Sequence, residues 1–137
     1  MRRLKADDDA ASLIIDRRTH TFVLLNRFPY NNGHTLVCPN AHKAGLGELA
    51  SEEMCELMQT THETMELLKK VMRPDGFNVG MNFGRVAGAG LPGHMHVHIV
   101  PRWNGDTNFM PVIADVKIIP QALEDLRQLL VDARKGS

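Results

Sequence analysis

Between residues 94 and 100 the side chains alternate with a period of two. His94, His96 and His98 take one phase, and Met95, Val97 and Ile99 take the other. A helix would scatter these two sets around its axis, whereas a β-strand separates them onto opposite faces. The apolar face has to be covered by a core, so this strand requires a sheet packed on one side. The histidine face is left for something else.

The rest of the chain supplies the sheet and its cover. Residues 12–16 (Ser-Leu-Ile-Ile-Asp), 21–26 (Thr-Phe-Val-Leu-Leu-Asn) and 34–38 (His-Thr-Leu-Val-Cys) are short, β-branched runs. Turn residues separate them, notably in Phe28-Pro29-Tyr30-Asn31-Asn32-Gly33 and Pro39-Asn40. A helix follows, with Ser51 as expected N-cap and Glu52 and Glu53 in its first turn, where negative charge suits the dipole. Met54, Leu57, Met58, Thr61, Met65, Leu68 and Met72 recur at helical spacing and predict its buried stripe, and Pro74-Asp75-Gly76 ends it. Residues 77–82 read as a fourth strand, a glycine-rich run occupies 84–93, and the histidine strand is expected to stop at Pro101. Pro120 suits the first turn of a last helix, whose apolar face is Leu123, Leu126, Leu129, Leu130 and Ala133. The order strand-strand-strand-helix-strand-strand-helix is that of an α+β domain. Links between the first three strands are too short for parallel crossovers, so the sheet is expected to be mainly antiparallel.

A length of 137 residues suits one domain, read as 1–137 with a flexible segment at 1–11. Lys and Arg together number 16, as do Asp and Glu, and this balance disfavours non-specific nucleic-acid binding, which needs a basic surface. Cys38 and Cys55 form no C-x-x-C pair and read as buried thiols, pointing to a cytoplasmic location. The basic start, Met1-Arg2-Arg3, has no apolar stretch behind it, and no segment approaches membrane-spanning length.

Neighbouring histidines on one strand face stand about 6.5–7 Å apart, so three imidazoles can converge on an anion the size of a phosphate. A neutral imidazole is a good nucleophile near pH 7, and flanking rings can donate to the non-bridging oxygens of a phosphoryl group. The competing chemistry is zinc, which three histidines can hold. Hydrolytic metal sites usually add a nearby carboxylate, and none follows the triplet before Asp106.

His94-Met95-His96-Val97-His98-Ile99-Val100 resembles the His-φ-His-φ-His-φ-φ signature of the histidine triad (HIT) family, φ being apolar. Similarity extends over roughly residues 12 to 134, through Leu25-Asn26-Arg27, the run from Gly33 to Pro39, Gly80-Met81-Asn82 and the stretch from Pro101 to Phe109. Within the family the chain is most similar to the fragile histidine triad hydrolases and the bacterial diadenosine tetraphosphate phosphorylases. The resemblance implies a five-stranded antiparallel sheet with two helices, paired as a homodimer, and an exposed edge strand after residue 100 offers the pairing surface. It also implies a nucleotidyl hydrolase or transferase acting on dinucleoside polyphosphates or nucleotide conjugates. His96 would form a nucleotidyl-histidine intermediate, with His94, His98 and His34 supporting phosphate and nucleophile. Asn26 would meet the ribose and Asn82 the phosphate chain. Relatives carry Gln or Ser/Thr just before the triad, where this chain has Gly90 and Leu91, so amides of Gly88, Ala89 and Gly90 are expected to form the anion nest instead. Zinc-containing relatives use a C-x-x-C pair that this chain lacks, so no metal ligands are assigned and His42 reads as a surface residue. No tightly bound cofactor is expected, although a divalent cation can accompany the nucleotide. A nucleotide-binding sensor with weak catalysis and a three-histidine metallo-hydrolase stand as the alternatives.

Overall fold

The computed structural model describes residues 6–87, 94–106 and 120–136, with backbone alone for 6–8, 120 and 121. Its sheet is antiparallel and five-stranded, in the order β1-β2-β3-β5-β4. The strands are β1 (Ile14–Arg17), β2 (Thr21–Leu25), β3 (Thr35–Pro39), β4 (Gly76–Met81) and β5 (Val97–Arg102). Three helices accompany it among the described residues: α1 (Ala6–Ala11), α2 (Ser51–Met72) and α3 (Pro120–Lys135). This is the α+β architecture expected, with α1 as an addition inside the segment read as flexible. α1 is tied to the domain by the Asp9 carboxylate, which accepts from Arg17 at 2.7 Å, and by the Ala11 carbonyl, which accepts from Arg27 at 2.9 Å.

Strand register divides the sheet into two faces. Val23 is opposite Val37, and Val37 opposite Val97, while Leu25, Thr35 and Ile99 form the next row. The apolar side chains of these rows are buried under α2 and α3 in one cluster with Met95, Leu57, Leu68, Leu123, Leu130 and Val131, and Thr35 is buried among the rows. The other face carries the row Leu24, Leu36, His98 and Gly80. The alternation read at residues 95, 97 and 99 therefore places the core as expected.

The helices are rotated relative to the expected stripes. On α2 the buried residues are Leu57, Thr60, Thr61, Thr64 and Leu68, while Met54 and Met58 are exposed at 39% and 47%. The threonines tolerate burial because their hydroxyls are bonded: Thr61 donates to the Leu57 carbonyl, Thr64 to that of Thr60, and Thr60 pairs with Thr21 at 3.0 Å. Cys55 is exposed, on the outer side of the same helix, whereas Cys38 is buried and its thiol is pushed up to about 12 by that burial. On α3, Leu129 faces outward and Val131 inward. Ala50, not Ser51, precedes the first turn of α2, and its N–H donates to Glu53 Oε1 at 2.8 Å.

Two strand boundaries have local causes. β1 begins at Ile14 because Leu13 adopts φ 63° and its N–H bonds the Ala10 carbonyl. β5 begins at Val97, since the Met95 N–H is taken by the Lys43 carbonyl at 2.8 Å, and it runs through Pro101 to Arg102. Proline is tolerated there because β3 pairs with β5 no further than Ile99. Where β3 has ended, the Pro101 carbonyl receives Asn31 Nδ2 instead, at 3.0 Å. Among the described residues β5 is thus interior and the sheet edges are β1 and β4, while the edge strand expected after residue 100 falls mostly on 107–119, outside the described residues. No described helix is long and apolar enough to cross a membrane.

Candidate functional site

The imidazoles do not all converge as period two implies. His96 and His98 have ring centroids 4.7 Å apart, and the third ring in the group is that of His34, 5.1 Å from His98. His94 is buried at 6% exposure, and its Nε2 donates to the Pro39 carbonyl at 3.0 Å. Its ring meets the exposed His42 edge-on at 5.2 Å. The backbone explains this: Met95 bonds Lys43, so residues 94–96 leave the ladder and His94 turns toward the chain after β3.

Hydrogen bonds assign protons to two of the clustered rings, His34 and His98. Asn26 Oδ1 accepts the Phe28 N–H, so its amide nitrogen is the atom facing His34 Nδ1 at 3.3 Å. The Tyr30 N–H also points at Nδ1, at 3.2 Å. An imidazole nitrogen receiving two donors must hold a lone pair, so the neutral His34 ring carries its proton on Nε2. That proton is donated to His98 Nδ1 at 2.9 Å. The neutral His98 ring therefore carries its own proton on Nε2, a buried atom with no hydrogen-bond partner among the described residues. At His96 burial favours the neutral ring, against a smaller opposing effect of the His94 backbone. One nitrogen of the neutral ring keeps a lone pair.

Burial lowers the pKa of His34, His94, His96 and His98. For His34, burial comes first and the neighbouring His98 and His96 add to it, bringing the group from 6.5 down to about 4. Between these values the unfolded chain takes up a proton that the native state refuses. The stability contributed by neutral His34 is complete above about 6.5 and is lost as pH falls toward 4. We expect the gap in Tm between the protein and His34→Gln to narrow from pH 7.5 to pH 4.5, followed by thermal melting; a gap independent of pH contradicts the assignment.

A recess of about 210 Å³ lies beside this group, lined by Tyr30, Asn78, Val79, Gly80, Asn82, His98 and Val100. Asn82 thus stands on the His98 side, and Asn26 reaches the group through His34. Gly88, Ala89 and Gly90 lie outside the described residues. Sequence reasoning did not single out Tyr30, whose ring stacks on His34 at 5.4 Å, or the Pro39 carbonyl. Tyr30 sits in the turn cluster just ahead of His34, and that proximity was its available signal. Among the described residues no group of three or more His, Cys, Asp or Glu is placed to hold a metal ion.

The sequence pattern of the HIT domain matches residues 8–105. An AP-4-A phosphorylase of Mycobacterium tuberculosis is 45% identical over 122 residues, which are 89% of this chain and 63% of that protein. An asymmetrical bis(5'-nucleosyl)-tetraphosphatase of Schizosaccharomyces pombe is 30% identical over 95 residues, 69% of this chain and 52% of the other. The chain thus spans less than two thirds of the length of either relative. A zinc-bound histidine triad family protein from Mycobacterium smegmatis superposes with a TM-score of 0.75 at 26% identity, covering 95% of this chain and 88% of that one. With the signature, the sheet and the histidine group in agreement, the chain belongs to the HIT domain family.

Proposed function

We propose that the protein is a nucleotidyl hydrolase or transferase acting on dinucleoside polyphosphates, with His96 as nucleophile. The observation that carries this reading is the pairing of a lone pair on His96 with the unpartnered, buried Nε2–H of His98 beside it. A nucleophile that is neutral near pH 7 needs no base, and a donor fixed before the reaction stabilises charge without reorganising. The lone pair attacks the α-phosphorus, the bond to the bridging oxygen breaks, and the distal nucleotide leaves with the electron pair. Water or inorganic phosphate then takes the nucleotidyl group and regenerates His96. Asn26, His34 and Asn82 support the nucleotide and the rings, His94 braces the backbone leading into β5 through the Pro39 carbonyl, and the amides of Gly88, Ala89 and Gly90 serve the phosphates. The name of the mycobacterial relative makes phosphate the first acceptor to test. A homodimer belongs to the same reading, supported by the exposed Val79 on the edge strand β4.

Incubation with diadenosine tetraphosphate, with and without phosphate, tests the proposal. ADP plus ATP that require added phosphate establish phosphorolysis, and AMP plus ATP without it establish hydrolysis. No product in either arm overturns the reading.

A further inference from the structure

Behind the histidine group a second network ends on a carboxylate. Asp106 accepts from Arg102 Nη2 at 2.8 Å, from the Trp103 N–H at 3.0 Å and from Asn31 Nδ2 at 2.7 Å. Asn31 is 8% exposed; its amide also donates to the Pro101 carbonyl at 3.0 Å, and its Oδ1 accepts the Asn32 N–H at 3.1 Å. The side chain thus fastens the turn between β2 and β3 to the end of β5. From that turn the Asn31 carbonyl accepts the His34 N–H at 3.2 Å, and Tyr30 donates its N–H to His34 Nδ1.

A neutral imidazole has two tautomers, and the bonds made by one nitrogen decide which is present. At His34 one of those bonds comes from the backbone of Tyr30, and a backbone donor is only as well aimed as the turn that carries it. This turn includes Gly33 at φ 82°, where an added Cβ would lie 2.6 Å from Met72 Sδ, so its path is confined on that side. On the other side it is held by Asn31, which bonds a carboxylate, a stronger acceptor than a neutral carbonyl. Arg102 balances the charge of that carboxylate. We propose that Asp106, acting through Asn31, is a positioning residue that keeps the Tyr30 N–H on His34 Nδ1. It thereby fixes the proton of His34, and in turn that of His98, on Nε2. Neither Asn31 nor Asp106 touches the reacting atoms in this scheme.

Long-range proton–nitrogen NMR of the ¹⁵N-labelled protein at pH 7.5 reads the tautomers directly. The unaltered protein should show His34 with Nδ1 unprotonated, and a proton found on Nδ1 overturns the proposal before any variant is made. In Asp106→Ala and Asn31→Ala the ring should average between tautomers. Turnover should then fall roughly 10- to 100-fold in kcat, with KM changed by no more than about threefold. Asp106→Asn, which keeps an acceptor oxygen for Asn31, should recover the single tautomer and most of kcat. Folded alanine variants that keep both tautomer and kcat while losing only thermal stability overturn it. The kcat arm rests on the proposed function, whereas the tautomer needs no substrate, so failure of one is distinguishable from failure of the other.

Discussion

His96→Ala should abolish turnover of diadenosine tetraphosphate, with a loss in kcat of roughly 10³- to 10⁶-fold, the range seen when a covalent nucleophile is removed. The substitution deletes a half-buried ring outside the apolar cluster, so the fold should survive. Binding of a mononucleotide should change by no more than about threefold, because a neutral ring that acts on the reacting phosphorus contributes little to the ground state. Steady-state kinetics and calorimetric titration of the same preparation separate the two quantities. Quenching the unaltered protein during turnover and mapping its peptides should place a nucleotidyl adduct on His96. Turnover that persists in the variant defeats the nucleophile assignment, and a sensor with weak catalysis then becomes the better account. Turnover lost on chelation and restored by zinc would instead return the metallo-hydrolase reading.

The difference between what the sequence conveys and what it conceals is one of range. Alternation at residues 97 and 99 is enforced by the strand itself, so their burial at 1% and 0% follows from local geometry. The same rule put His94 with His96 and His98, and there it failed. The Lys43 and Pro39 carbonyls, both more than 50 positions earlier in the chain, claim the Met95 N–H and the His94 ring. Nothing in the spacing of the triplet announces such partners. His34 is the reverse case: it was assigned by resemblance, and β3 brings it to 2.9 Å from His98 because Leu36 pairs with His98 across the ladder. Asn31 and Asp106 were hidden because turn-forming asparagines and aspartates are common, and only tertiary contact shows that this pair meets.

Leu68→Ala should destabilise the protein by about 2–5 kcal/mol, and Met58→Ala should stay within about 0.5 kcal/mol of the parent. Both residues belong to the helical stripe that periodicity suggests, and on hydrophobicity alone the two substitutions look alike. Periodicity gives the angle between residues around a helix axis but not which sector faces the sheet. On α2 that sector is set by polar ties: Glu56 Oε2 accepts the His20 N–H at 2.7 Å and the Thr21 hydroxyl at 2.8 Å, and Thr60 pairs with Thr21. These bonds turn Leu57, Thr60, Thr64 and Leu68 inward and leave Met58 in water, because a bonded hydroxyl lowers the cost of burying a threonine. Leu68 is fully buried against the sheet cluster, so its truncation opens a cavity, whereas Met58 has little packing to lose. Denaturant midpoints at constant m-value measure both changes. Equal losses at the two positions would mean that α2 presents a different sector to the sheet, with Met58 packed and the Thr60–Thr21 bond unmade.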